Sequence, residues 1–434
     1  MSGETFRATL AQSVQQFRNG RFIRDGAKLA SASVLLQAIS IFTAPIMARL
    51  YGPEAYGLLG LYIAATGISG VPSHFQYHGA VGLPKDDRDA LALLKVGLVL
   101  SIAMTVIMGL ALFLPLEKWM LGTEYSHLLP WVPLLIAMVI PGSLVTFAGA
   151  WLARKQEFGT LSAMRVVANL SSTGIGLAWG FWIGTASGLI WGNIAGLLLG
   201  GIVLACGMRK TNALSFAVVE KRRVWDMLVR YRDFPLFATP TQLLMQFSRQ
   251  APVLLLTGFA GASTVGYFNM SNRLLGLPNV LFAESLSTVF SQRAAKRYAE
   301  TGECRELYRK MFWGLLLTTT PVVIVLAIIA PSLFAWLLGE RWRVAGEYSR
   351  ILCWLFAVQL VCTPLSSMMI IARRQAENMW LQIVSCLATV GLMYGAYVSF
   401  GTATAVLIGF TVAATVTQLY YGIRGFWLSA AKSR

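Results

Sequence analysis

Three charged residues interrupt long apolar runs in the second half of this chain: Arg249, Arg273 and Glu284. A charge at bilayer depth costs about 2.5–3.5 kcal/mol on insertion scales, so such groups face a cavity or a partner. Guanidinium there suits the holding of an anionic group, because it stays charged and forks onto carboxylate or phosphate oxygens. Arg273 and Glu284 lie eleven residues apart, three turns of an unbroken helix, hence on one face but ~16 Å apart along the axis. Pro278 between them is expected to kink the helix, and Pro235, Pro240 and Pro252 stand in the preceding apolar run. Structural alternatives stay open: Arg273 caps a broken helix or pairs with Glu284 of a neighbouring turn or helix, and Arg249 snorkels to the membrane surface. For the opposite wall of such a cavity the candidates are Gln37, Gln76 and His78, with ordinary interhelical hydrogen bonds as the alternative. A histidine such as His78 is a residue type able to exchange protons, so proton coupling is one option and sodium coupling another.

Other chemistries lack material. The five cysteines show no CxxC spacing, and His74, His78 and His127 are the only histidines, so neither a metal centre nor a disulfide framework is expected. There is no P-loop, GxSxG or kinase-like motif, hence no built-in ATP hydrolysis. No catalytic residue or cofactor site is assigned, and the chain is not expected to be an enzyme.

The elements that must carry these polar groups follow from composition. Of 434 residues, 56% are hydrophobic and only 13% charged, against about a quarter charged in soluble proteins. Mean hydropathy is +0.62. The apolar excess must face lipid, which makes this an all-α integral membrane protein. Twelve stretches reach spanning length: 27–48, 57–82, 90–114, 130–152, 160–182, 184–206, 234–258, 264–290, 311–337, 349–371, 378–399 and 402–423. No signal-peptide cleavage site precedes the first span, which is therefore expected to remain in the mature protein. With a cytoplasmic N-terminus, most of the 36 Lys and Arg fall in cytoplasmic segments, Arg154, Lys155 and Arg165 among them. The outer loops keep only Arg49, Lys118, Arg341, Arg343 and Arg350. This asymmetry explains the net charge of +17 without nucleic acid. It places both termini in the cytoplasm.

Two short echoes divide the spans. RLYGPEAYGLLGLY (49–62) stands between spans 1 and 2, and GFAGASTVGYFNMS (258–271) between spans 7 and 8, with Gly57 and Gly266 209 residues apart. Ala153-Arg154-Lys155-Gln156 after span 4 is echoed by Ala372-Arg373-Arg374-Gln375 after span 10. Six helices per repeat keep both copies in the same orientation, as parallel repeats about an axis along the membrane normal, with substrate between them. The expected organisation is an N-terminal segment 1–26, with Phe6, Leu10, Val14 and Phe17 on one face of a possible interfacial helix or in a basic tail. It continues with a six-helix lobe 27–206, a basic linker 207–233, a second lobe 234–425 and a tail 426–434. Tryptophans at span ends (Trp119, Trp131, Trp336, Trp342, Trp427) read as an interfacial belt. The glycines from Gly174 to Gly201 read as close helix packing.

Four stretches carry a family resemblance: ARLYGPEAYGLLGLY (48–62), YHGAVGLPKDDRDALALL (77–94), DFPLFATPTQLL (233–244) and APVLLLTGFAGASTVGYFNMSNRLLGLPNVLFAESLSTVFSQ (251–292). On these the chain resembles the polysaccharide transporters, the oligosaccharide flippases of the superfamily that also holds the multidrug and toxin extruders. The resemblance implies a two-lobed fold and a lipid-linked oligosaccharide substrate from O-antigen, capsule or exopolysaccharide synthesis. Its setting would be the bacterial inner membrane, with a polysaccharide polymerase and a chain-length regulator as possible partners. At Gln76-Tyr77-His78 many relatives carry Arg-Tyr-Glu, so contacts there do not carry over. Two rivals are weaker. A multidrug or lipid II transporter of the same superfamily shares the fold, but a multidrug extruder should favour acidic cavity residues. A membrane polymerase or glycosyltransferase should have large outer loops with catalytic carboxylates or a metal.

Overall fold

An apolar run in hydrocarbon satisfies its backbone by coiling on itself, and this chain does so almost throughout. The computed structural model describes residues 21–110, 123–211, 213, 220–279, 283–372 and 374–430, and the described residues contain helices and turns but no strand. The first half runs through α1 (Arg21–Leu50), α2 (Pro53–Ser73), α3 (Asp87–Leu110), α4 (Val132–Ala137), α5 (Val139–Arg154), α6 (Phe158–Trp182) and α7 (Ser187–Lys210). The linker helix α8 (Lys221–Arg230) follows. The second half holds α9 (Thr239–Leu275), α10 (Glu284–Thr301), α11 (Arg305–Leu338), α12 (Arg343–Leu365), α13 (Met368–Ile371), α14 (Gln375–Phe400) and α15 (Ala403–Leu428).

Among the described residues, eight helices are long and apolar enough to cross a membrane, nine if the bent pair Glu124–Ala137 and Val139–Arg154 counts as one span. The bend of that pair is 49°. Pro141 lies just beyond it and lacks the N–H that would bond the Ala137 carbonyl. The expected count of twelve is not reached by this measure, in part because expected spans 7 and 8 share α9. That helix is broken at Gly261 (φ 80°, ψ 173°), a backbone conformation open to glycine, inside the stretch expected to separate spans 7 and 8.

Three further expectations change. Helix α9 ends at Leu275 and α10 begins at Glu284, so Arg273 and Glu284 belong to different helices and the three-turn spacing does not apply. The glycine and proline at 276 and 278 interrupt the ladder between them. Helix α15 runs on to Leu428, into the expected tail. Trp342, read as part of the interfacial belt, is fully buried: its indole donates to the Ala48 carbonyl at 2.8 Å and meets Tyr56 edge-on. Trp336 and Trp427 are exposed as expected. The proposed N-terminal interfacial helix falls mostly on residues 1–20, outside the described residues.

Small residues set the close approaches. A methyl at Gly192 would come within 2.5 Å of the Ser172 carbonyl, and one at Gly196 within 2.6 Å of the Ala168 carbonyl, which is how α6 and α7 lie tightly together. Leu93, Phe147, Trp151 and Leu204 form the core of the first half, and Leu256, Phe268, Leu352 and Leu407 that of the second. A third core belongs to both: Met47, Tyr51 and Tyr56 pack with Met270, Phe334 and Trp342. At the opposite ends of the helices, polar side chains hold the first half together. Arg154 binds Asp87 at 3.1 Å, and Arg223 of α8 reaches Asp86 and Asp89, each at 2.6 Å.

Candidate functional site

The helices enclose a cavity of about 890 Å³ whose walls come mainly from α2, α5, α6 and α7, with Gln242 and Gln246 of α9 closing one side. Local backbone geometry shapes its rim. Helix α2 stops at Ser73, and two consecutive residues, Phe75 (φ 46°) and Gln76 (φ 57°), take left-handed conformations. Such conformations cost about 1–3 kcal/mol for a non-glycine residue and persist where surrounding structure enforces them. Here they turn the chain into the short helix Tyr77–Ala80, so that His74, Gln76 and His78 all face the cavity. Tyr77 points the other way and donates to the Leu228 carbonyl of α8 at 3.0 Å. The two imidazoles meet edge-to-face at 4.7 Å, and both lean on Phe147.

Arg165 on α6 is the one charged side chain among the described residues lining the cavity, and no carboxylate joins it. Asn169, one turn further along α6, and Asn193 of α7 stand in the same wall. His78 Nδ1 and Asn169 Oδ1 are buried and make no hydrogen bond among the described residues. The lining thus presents a guanidinium, amides, imidazoles and the hydroxyls of Thr66, Ser69 and Ser73. Chemically it suits an anion with hydroxyl-bearing neighbours, and no carboxylate among the described lining residues is there to attract a cation.

The expected site residues are dispersed. Gln76 and His78 line this cavity. Gln37 is half-buried on α1 beside Leu36, which lines it. Arg249 is exposed and donates to Gln246 Oε1 at 2.9 Å, so it braces a lining residue without lining the cavity itself. Arg273 is likewise exposed and donates to Ser40 Oγ of α1 at 2.8 Å, joining the two halves. The Glu284 side chain lies outside the described residues. Arg165 stands close to the start of its span, which groups it with the cytoplasmic charges and does not mark it as a site residue. Its i,i+4 pairing with Asn169, and that of Gln242 with Gln246, was the available signal: polar pairs at helical spacing share one face.

Comparison with known proteins places this cavity in context. The family model described as polysaccharide biosynthesis protein matches residues 46–347, more than half of the chain. The chain belongs to this family. A relative, the succinoglycan biosynthesis transport protein ExoT of Rhizobium meliloti (strain 1021), is 20% identical over 375 residues, 82% of this chain and 71% of its own length. Among solved structures, the lipid II flippase MurJ in an inward closed conformation superposes with a TM-score of 0.69 at 14% identity. That match covers 92% of this chain and 89% of MurJ. An inward-facing multidrug resistance transporter of the MATE family gives 0.64 at 15% identity, over 93% of this chain and all of that one. These likenesses establish the fold: a multi-pass membrane protein of the polysaccharide flippase superfamily, with MATE- and MurJ-like helix arrangement.

Proposed function

We propose that this transporter is a flippase carrying an undecaprenyl-diphosphate-linked oligosaccharide from the cytoplasmic to the periplasmic leaflet by alternating access. The observation that carries this reading is the composition of the cavity, with one unpaired arginine, many amides and hydroxyls, and no carboxylate among its described lining. Such a wall fits an anionic, sugar-bearing head group and disfavours the cations of drug extrusion. Two lobes, 27–206 and 234–425, joined by the linker 207–233, rock about it, while the lipid tail stays in the bilayer.

Charge placement supplies the direction. The loop between α1 and α2 lies on the charge-poor side, and it is there that the halves meet through Tyr56 and Trp342. On this reading the cavity opens to the cytoplasm, both termini are cytoplasmic, and the setting is a bacterial inner membrane. A polysaccharide polymerase and a chain-length regulator are the proposed downstream partners.

The test is removal of the protein followed by analysis of lipid-linked intermediates. Repeat units accumulating on the cytoplasmic side support the proposal. Normal translocation with altered drug resistance overturns it.

A further inference from the structure

The linker helix α8 has two differently built sides. Val224, Met227 and Leu228 pack into the core of the first half, and Arg223 is tied to Asp86 and Asp89. At about 3.6 residues per turn, Lys221, Trp225 and Val229 follow one another along one flank, with Arg222 beside them. All four are exposed; Trp225 is 65% accessible, unusual for the largest apolar side chain on a polar segment. Asp226 and Arg230 occupy the remaining, charged flank.

The surroundings identify what this flank meets. Helix α7 ends at Lys210 and α9 begins at Thr239, so α8 sits between two helices that cross or approach the bilayer. Leu236 and Phe237, at the entry to α9, are 59% and 69% exposed and stand where a span begins. Apolar exposure therefore continues from the membrane-embedded surface onto α8, where it becomes mixed with basic side chains. Trp with Lys and Arg on one face is the composition of a helix lying in the headgroup layer.

We infer that the Lys221–Arg222–Trp225–Val229 flank of α8 is a docking surface for anionic phospholipid headgroups of the adjacent leaflet. Trp225 and Val229 enter the acyl boundary, and Lys221 and Arg222 pair with headgroup phosphates. The arrangement has a consequence for the cavity. Tyr77, held by the Leu228 carbonyl, lies between the cavity-lining residues Gln76 and His78. Lipid that fixes α8 therefore also fixes this part of the cavity rim.

The test uses the full chain in vesicles of equal parts phosphatidylglycerol and phosphatidylcholine, with bromine on the acyl chains of one lipid or the other. The contribution of Trp225 is the difference between the wild type and Trp225→Phe, an exposed substitution that leaves the core untouched. Brominated phosphatidylglycerol is expected to quench this difference signal about twofold more than brominated phosphatidylcholine, since each basic residue near the surface favours anionic lipid. The joint variant Lys221→Gln and Arg222→Gln should bring the two to equality, and so should salt at about 1 M. Two results overturn the inference: no quenching by either lipid, which places Trp225 in water, and equal quenching in the wild type, which removes the headgroup preference.

Discussion

Gly57 rests on the carbonyl of Ala262, and Gly266 rests on the carbonyl of Pro53. A Cβ at either glycine would come within 1.9 or 1.8 Å of the oxygen it faces. The two contacts are images of one another, because Gly57 and Gly266 share the sequence offset of Pro53 and Ala262. Ser263 and Glu54, 209 residues apart, are bonded at 3.4 Å beside them. A patch that meets its own repeat in this reciprocal way is isologous, as at a two-fold axis. The repeated glycines are thus one joint at which the two halves touch.

Leucine at Gly57 or Gly266 has no room at this joint, so either substitution should hold the halves apart on that side. The check is a disulfide between Glu54→Cys and Ser263→Cys. It should form under mild oxidation in the otherwise native chain and fail to form with Gly57→Leu present. If the halves must separate during transport, the same disulfide should stop transport reversibly.

Arg165 is the one charged donor among the described residues lining the cavity, and hydrogen bonds to charged groups contribute about 1.5–3 kcal/mol. Arg165→Ala should lower transport roughly 10-fold or more while leaving expression and thermal unfolding unchanged. Arg165→Lys should restore part of it, since lysine keeps the charge and loses the fork. Transport of accumulated lipid-linked substrate in complemented cells is the measurement.

Arg249→Ala and Arg273→Ala should also reduce transport, but through positioning. Arg249 steadies Gln246, and Arg273 ties α9 to Ser40 of α1. Gln246→Ala should reproduce the first defect and Ser40→Ala part of the second. Full transport by both arginine variants would remove these residues from the mechanism.

Trp342→Phe keeps most of the packing and loses the bond to the Ala48 carbonyl. It should destabilise the protein by about 1 kcal/mol, the usual net value of one buried hydrogen bond. Trp342→Ala should cost about 3–5 kcal/mol because it leaves a cavity between the halves. Thermal unfolding in detergent distinguishes the two.

Asp86 is held below the usual aspartate range by its bond from the Arg88 backbone N–H and by Arg223. A carboxylate with a depressed folded pKa contributes stability above its unfolded pKa and loses it as pH falls through the folded value. Acid should therefore loosen α8 from α3. Asp86→Asn should flatten the acid limb of the stability profile, followed by protection of the α8 amides from hydrogen exchange.

Much of this architecture was legible in the residues themselves. Apolar runs, the clustering of Lys and Arg, and the glycine echo pointed to a membrane protein built twice, because each reports a local or additive property. The break at Gly261 was legible as the separation between two apolar spans for the same reason. Trp342 was misread, since a tryptophan near a span end has the same sequence signature whether it meets lipid or another helix. Arg165 was not among the expected site residues because distance along the chain does not show which face of α6 meets the cavity.

The sequence by itself determined the solvent this chain lives in, its repeat and its family, since hydropathy, charge bias and motif are written in linear order. Only the tertiary structure decided which polar groups share a wall. That wall joins Arg165 and Asn169 to His78, Asn193 and Gln246, residues from four helices. Their meeting depends on the left-handed turn at Phe75 and Gln76 and on the tight α6–α7 packing. Both are products of contacts between distant segments.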